Sequence, residues 1–554
     1  MIQPLKNQNP TQLQKEVAKR RTFAIISHPD AGKTTLTEKL LLYSNAVDLA
    51  GAVRGRKSQR HATSDWMSIE QERGISITST VLQFQYNNCY VNLLDTPGHQ
   101  DFSEDTYRTL MAVDSAVMVL DAAKGIEAQT KKLFEVCRMR HIPILTFINK
   151  MDHVAREPLQ LLDEIEKILG IPAVAINWPI GDGPTFQGVY DLQKDQVLRF
   201  NRTEHGQRKA PVTVSDVDDL ALLQLLGKEA HSALREDVEL LSIAGTSFDE
   251  KQYLAGDMTP VYFGSALNNF GVEPFLDALI QLAPPPQPRQ LVDGDLAIPE
   301  QEDFSGFVFK IQANMNPKHR DSIAFMRICS GRFQKDMVVS HPRLGRNVRL
   351  TRPYQLFAQG RSSLEEAFPG DVLGLANPGL FTIGDSLSTG KLASFLPLPS
   401  FEPEFFALIR NKDTAKHKQF HKGIEQLVKE GAIQRLFALD DSQIHPLLAA
   451  VGKLQFEVVE ARLKTEYNVE VEIEYLPYTG ARRINADLQE LAKISWPSGV
   501  MEVKDGNNQT VALFSSEWEI RRCIDKYPNI TFQEFGFGVN NTWENKGDRN
   551  RPNR

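Results

Sequence analysis

Ser27-His28-Pro29-Asp30-Ala31-Gly32-Lys33-Thr34-Thr35 sets a lysine and two hydroxyls behind a glycine, between an apolar run from Thr22 to Ile26 and helical spacing from Leu36 to Leu42. A tight loop that passes from a strand into a helix N-terminus turns its backbone N–H groups toward one point, which suits a polyphosphate. In such a loop Lys33 reaches the outer phosphates and the Thr34 hydroxyl can ligate Mg2+. Ser27 stands where the usual pattern has glycine, and the segment alone also reads as an ordinary connection.

Three further segments narrow the chemistry. The run Cys89 to Asp95 ends in a carboxylate and is followed by Thr96-Pro97-Gly98-His99. Asp95 is placed to act on Mg2+, and Gly98 lets a backbone amide approach a terminal phosphate. A second apolar run from Pro143 ends in Asn149-Lys150-Met151-Asp152. The Asp152 carboxylate accepts two N–H donors from a guanine edge, whereas adenine presents an acceptor there and leaves the charge unpaired. Val261 to Gly264 then leads into Ser265-Ala266-Leu267, which could close over the base. Each piece has a bland reading as a turn or polar loop. In this order, each at the carboxyl end of a strand, they point to one site for GTP or GDP with Mg2+.

These residues need elements to hold them. Strands and helices alternate from Thr22 to Ala283, as in an α/β sheet covered on both faces, which gives a P-loop domain over 1–285. More chain than one helix needs separates Asp152 from Gly264, so an insert is expected at about 172–258. Pro284 to Pro288 starts a stiff linker. Short alternating strands between turns then predict a small β-barrel over 300–395. Beyond Pro397 to Glu404, strands and helices from Phe405 to Glu474 predict a ferredoxin-like unit inside an α+β domain over 400–540, with a polar tail at 541–554. The fold class is therefore multidomain: α/β, then β, then α+β.

Composition agrees. A chain of 554 residues exceeds what one core serves. It carries no long apolar run and no signal-peptide pattern, so a soluble, cytoplasmic protein without membrane contact is expected. The net charge of −7 argues against DNA and against broad adhesion to nucleic acid, while leaving room for a local basic face. Cys89, Cys137, Cys329 and Cys523 show no metal or redox spacing and read as reduced packing residues.

Ser27 to Thr34, Asp95 to His99 and Asn149 to Asp152 together resemble the motifs of the translational GTPases, and their wording resembles the bacterial class II peptide chain release factors, relatives of elongation factor G. The resemblance implies a GTPase that works on the ribosome, with large-subunit RNA near His99. It implies that the GTP form ejects the codon-reading release factor after peptide release and that hydrolysis permits departure. By the same resemblance His99 positions the attacking water, either as a cation or as a neutral ring. Arg73 to Thr78 resembles the first switch, with Ser76 where most relatives carry Thr; Thr78 is the alternative hydroxyl. Pro29 and Ile75 could gate His99, which implies slow intrinsic hydrolysis. Pro179 to Gly183 and Phe186 to Asp191 resemble the insert of elongation factor G, read as a surface subdomain without catalysis. No Gly-Gly-Gln motif is present, so ester cleavage is not expected of this chain. Two rivals remain: another translational GTPase, such as a translocase or rescue factor, disfavoured by the short stretch after Tyr475; and a non-ribosomal ATPase or kinase, disfavoured by Asp152 and the barrel.

Overall fold

The structure, a computed structural model, describes residues 10–44, 70, 76–194, 196–200, 212–213, 223–224, 226–313, 322–357, 360–391, 393–398, 401–439, 445–486, 488–491 and 494–535. The chain forms two compact units, 1–395 and 396–554.

The N-terminal unit begins with α1 (Gln12–Ala18), β1 (Arg20–Ser27), α2 (Lys33–Tyr43), β2 (Thr80–Tyr86), β3 (Cys89–Asp95), α3 (Ser103–Leu110), β4 (Ser115–Asp121), α4 (Ala128–Met139), β5 (Ile144–Asn149), α5 (Pro158–Leu169) and β6 (Ala173–Ala175). The sheet runs β2-β3-β1-β4-β5, then Thr259–Phe263, then β6. All neighbours are parallel except the β2–β3 hairpin. The inner strands are apolar without alternation because both their faces are covered; Phe23, Ile25, Leu93, Val117 and Phe147 pack against Leu36, Leu40, Phe275 and Leu279. Register does the positioning: Ile25 lies opposite Asp95, and Asp121 opposite Asn149, so the chemistry-bearing residues leave the sheet at one edge.

The insert starts later than expected. Ala173–Ala175 is a strand of the main sheet, paired with Thr259–Val261, and Val174 and Ile176 join its core. Three residues are too few to show a strand period. After it, Asn177–Ile180, Gly188–Asp191, Gln196–Phe200 and Val212–Thr213 form a separate antiparallel sheet.

A barrel follows, with strands Ser305–Ala313, Ser322–Ser330 and Val372–Asn377 side by side around Val308, Met326, Phe333, Leu373 and Leu387. It is joined to the P-loop domain by buried charge. Arg327 ion-pairs with Asp114, both buried, and donates to the Gly370 carbonyl at 2.6 Å. Arg289 also reaches Asp114 at 2.8 Å. Arg20 bonds Asp371 at 2.8 Å, and Thr22 donates to the Gly370 carbonyl at 2.7 Å.

The C-terminal unit is one eight-stranded antiparallel sheet in the order Val471–Tyr475, Phe405–Asn411, Leu447–Ala450, Gln434–Ala438, Val500–Lys504, Thr510–Phe514, Gly480–Asn485, Thr531–Gln533. The first four strands, with helices His417–Lys429 and Lys453–Tyr467, make the ferredoxin-like unit. Leu447–Ala450, a strand absent from the sequence reading, supplies its buried centre. The last four repeat the same order with a second, smaller unit, joined edge to edge where Phe437 faces Lys504. Among the described residues no helix is long and apolar enough to cross a membrane. Cys137, Cys329 and Cys523 are buried free thiols, and burial pushes Cys137 and Cys329 up to about 12, consistent with packing rather than redox chemistry.

Arg327→Met should strand the Asp114 carboxylate against the barrel. Removing one partner of a buried pair leaves an uncompensated charge, and the expected loss is about 3 kcal/mol in urea unfolding of the N-terminal unit. A loss under about 1 kcal/mol would show that Arg289 alone satisfies Asp114.

Candidate nucleotide site

The phosphate loop is shaped by backbone conformations few side chains tolerate. Asp30 sits at φ +65° and Gly32 at φ +90°, and a Cβ on Gly32 would lie 2.2 Å from Asn149 Nδ2. That turn starts α2 at Lys33, three residues before the apolar helical spacing begins, and aims its first amides at the loop. Ser27 Oγ is buried without a hydrogen-bond partner among the described residues. An orphaned hydroxyl beside a glycine turn and a helix N-terminus fits a phosphate ligand. His28 is buried, with its Nε2 3.5 Å from Glu127 Oε2; burial lowers its pKa and Glu127 opposes the shift.

Lys33 Nζ donates to Asp95 Oδ1 at 2.7 Å and lies 3.5 Å from Ser76 Oγ. Thr37 Oγ1 is also 3.5 Å from Asp95 Oδ1. The phosphate-loop lysine, the acid expected to act on the metal and the switch hydroxyl therefore share one small volume. Asp95, Ser76 and the half-buried Thr34 offer one carboxylate and two hydroxyl oxygens, a donor set suited to Mg2+ that completes its shell with phosphate oxygens and water. Thr78 is directed elsewhere: its N–H and hydroxyl approach Glu70 Oε1 at 3.1 and 3.5 Å, and the Ile77 N–H donates to the same oxygen at 2.9 Å.

Thr96 is buried and donates to the Ile25 carbonyl at 2.6 Å, tying the turn after β3 to β1. A Cβ on Gly98 would meet Pro29 at 3.5 Å, ordinary contact, so the protein's own atoms do not demand glycine there. His99 Nδ1 accepts the Asp101 N–H at 3.2 Å and lies 3.2 Å from Asp101 Oδ1, so Asp101 engages that side of the ring.

At the base end, Asn149 Nδ2 donates to the Ala31 carbonyl at 2.8 Å and its Oδ1 accepts the Ala266 N–H at 2.9 Å. Ser265 donates to Asp152 Oδ1 at 2.6 Å and so orients the carboxylate proposed to read the base. Lys150, at φ +70°, pairs with Asp121 at 2.9 Å. Met151 is buried and bonds Gly264 through its backbone, an anchor rather than a contact surface, while the Leu267 side chain is 60% exposed. Thr35 lies in the first turn of α2. Sequence reasoning missed Asp121, although it ends β4 as Asp95 ends β3, and missed Glu70, which no motif marks. Ile75 and most of the first switch lie outside the described residues, so the Pro29–Ile75 gate is not located.

Known proteins align with this arrangement. Family models described as "Elongation factor Tu GTP binding domain", "Elongation factor G domain 2" and "Class II release factor RF3, C-terminal domain" match residues 18–285, 303–390 and 395–524. A protein of Gloeobacter violaceus named peptide chain release factor 3 is 56% identical over 95% of this chain and 99% of its own. Another of that name from Symbiobacterium thermophilum is 54% identical over 94% and 98%. A crystal structure of a protein from Thermus thermophilus superposes with a TM-score of 0.66 at 22% identity, over 89% of this chain and 72% of that one, a likeness of fold.

Ser76→Ala should leave GDP binding nearly unchanged and weaken GTP binding roughly tenfold, the size of a lost hydrogen bond to a charged group. Thr78→Ala should not show that selectivity. Equilibrium titration of both variants with both nucleotides checks this; a GTP-selective defect in Thr78→Ala alone would reverse the assignment of the hydroxyls.

Proposed function

Because the chain belongs to the peptide chain release factor 3 family, ribosome-dependent GTPases of translation termination, we propose that its nucleotide cycle is run by the residues around Lys33, Asp95, Ser76 and His99. The protein binds the ribosome in its GTP form, promotes dissociation of the codon-reading release factor after peptide release, and leaves on hydrolysis. The observation that carries the residue assignment is the meeting of Lys33, Asp95 and Ser76 within 3.5 Å of one ammonium, beside an orphaned Ser27 hydroxyl.

Phosphoryl transfer to water passes through a loose transition state with charge on phosphate oxygens, so positioning and electrostatics dominate. Lys33 and the amides from Asp30 to Thr35 offset that charge. Thr34, Asp95 and Ser76 would hold Mg2+, which would supply a second positive centre to offset charge on the phosphate oxygens. Asp152, set by Ser265, reads guanine; Asn149 fixes the separation of base and phosphate loops. His99, with Nδ1 engaged by Asp101, offers Nε2 to orient the attacking water. When the terminal phosphate is lost, Ser76 loses its partner and the first switch is released. Large-subunit RNA docks near His99, and the protein works in the cytoplasm. Residues 1–285 are the GTPase domain, 300–395 the barrel and 400–540 the α+β domain, with the insert and the tail 541–554 outside the catalytic machinery.

His99→Ala touches neither the base pocket nor the phosphate loop. Ribosome-stimulated hydrolysis should fall roughly 10²-fold or more with nucleotide affinity little changed. Single-round ejection of the codon-reading factor should survive while multiple turnover fails. Wild-type hydrolysis in this variant would leave His99 a structural turn residue.

A further inference from the structure

Lys310 belongs to the barrel strand Ser305–Ala313, yet its ammonium ends inside the P-loop domain. It is buried, bonds the Ser79 carbonyl, and reaches Ser79 Oγ at 3.0 Å and Asp105 Oδ2 at 3.5 Å. Ser79 is held from the other side as well: its N–H donates to Asp105 Oδ2 at 2.7 Å, and Thr109 Oγ1 donates to its hydroxyl at 3.0 Å.

Lys310 joins the end of the segment read as the first switch to the start of the helix that follows His99. Ser79 is the last residue before β2, three residues after Ser76. Asp105 lies in the first turn of α3, six residues after His99. Burial would raise the Asp105 carboxyl, but Lys310, Arg108 and the Ser79 N–H outweigh it and hold it below the usual carboxylate range. Burial lowers the Lys310 ammonium, while Asp105 and Glu70 draw it back up. A barrel that needed only to stick to its neighbour has the Arg327–Asp114 and Arg20–Asp371 pairs for that. A lysine buried at a switch hinge costs desolvation that adhesion does not require.

We propose that Lys310 is a positioning residue that clamps the exit of the first switch to the start of α3, so that the barrel favours the arrangement in which Ser76 faces Lys33. The inference rests on Ser76 as the switch hydroxyl. With the clamp in place, closing the switch fixes only Ser76 and the two residues, Ile77 and Thr78, that separate it from a hinge already held. Without it Ser79 keeps only Asp105 and Thr109, the hinge is held less firmly, and the GTP-bound arrangement loses part of its advantage over the GDP-bound one.

The test is equilibrium binding of GTP and GDP, with ribosome-stimulated kcat and KM, for the full-length protein and for Lys310→Met, Lys310→Met/Asp105→Asn and Ser76→Ala. The double variant removes the charge that Lys310→Met alone would strand. Both Lys310 variants should lose preference for GTP over GDP by about 5- to 10-fold, with GDP affinity and kcat at saturation little changed and KM for GTP raised. A lower melting temperature with the GTP to GDP ratio unchanged would make Lys310 a packing residue and overturn the proposal. If Ser76→Ala shifts the ratio and the Lys310 variants do not, the clamp is wrong and the switch assignment stands. If none of them shifts it, both fall.

Discussion

The Asn149 side-chain amide ties together the loops proposed to bind the nucleotide. One end donates to Ala31 in the phosphate loop, the other accepts from Ala266 in the loop proposed to close over the base. Two segments separated by more than two hundred residues are thereby kept at a fixed distance, which a ligand with a base at one end and phosphates at the other requires. The room for that amide comes from Gly32, whose missing Cβ would fall 2.2 Å from it. Sequence thus reaches geometry through an absence of side chain at one position and a short polar one at another. Both amide partners are backbone groups in a buried environment, so neither is satisfied if the side chain is removed.

A second constraint sits beneath the first. The carboxyl ends of β1, β3, β4 and β5 can carry a site only if the sheet is stiff, and continuous apolar burial on both faces provides this. The barrel is then fixed to the P-loop domain by ionic contacts: Asp114 takes two arginines, and Arg20 reaches Asp371. Buried pairs contribute little net stability compared with apolar packing, but they are intolerant of misplacement, so they define one relative placement within this unit. That placement brings a barrel lysine to the switch.

The loops proposed to hold the nucleotide stand out in the sequence because their patterns are local. Lys33, Asp95, Asn149 and Asp152 each follow an apolar run within a few residues, and a strand running into a polar turn can be read without knowing its neighbours. Asp105 and Lys310 were not legible, since they meet across a domain boundary, and Glu70, which bonds Ile77 and Thr78, carries no pattern of its own. The same distinction separates the two halves of the C-terminal unit. Helices His417–Lys429 and Lys453–Tyr467 revealed the first ferredoxin-like unit, whereas the described part of the second unit's first helix is the four residues Leu488–Leu491, too few to show a period. Ser76 against Thr78 lay open in sequence because both are hydroxyls two residues apart; the carboxylate of Glu70 takes up Thr78 and leaves Ser76 beside Lys33.

The claim that one side chain couples base and phosphate recognition is tested most directly by titrating Asn149→Ala with GTP and with GDP. Losing two hydrogen bonds to buried backbone groups should cost about 3 kcal/mol of binding, roughly 10²-fold, and should cost it equally for both nucleotides because the clamp involves neither the terminal phosphate nor the switch. Unchanged affinity for both, or a loss confined to GTP, would contradict the account.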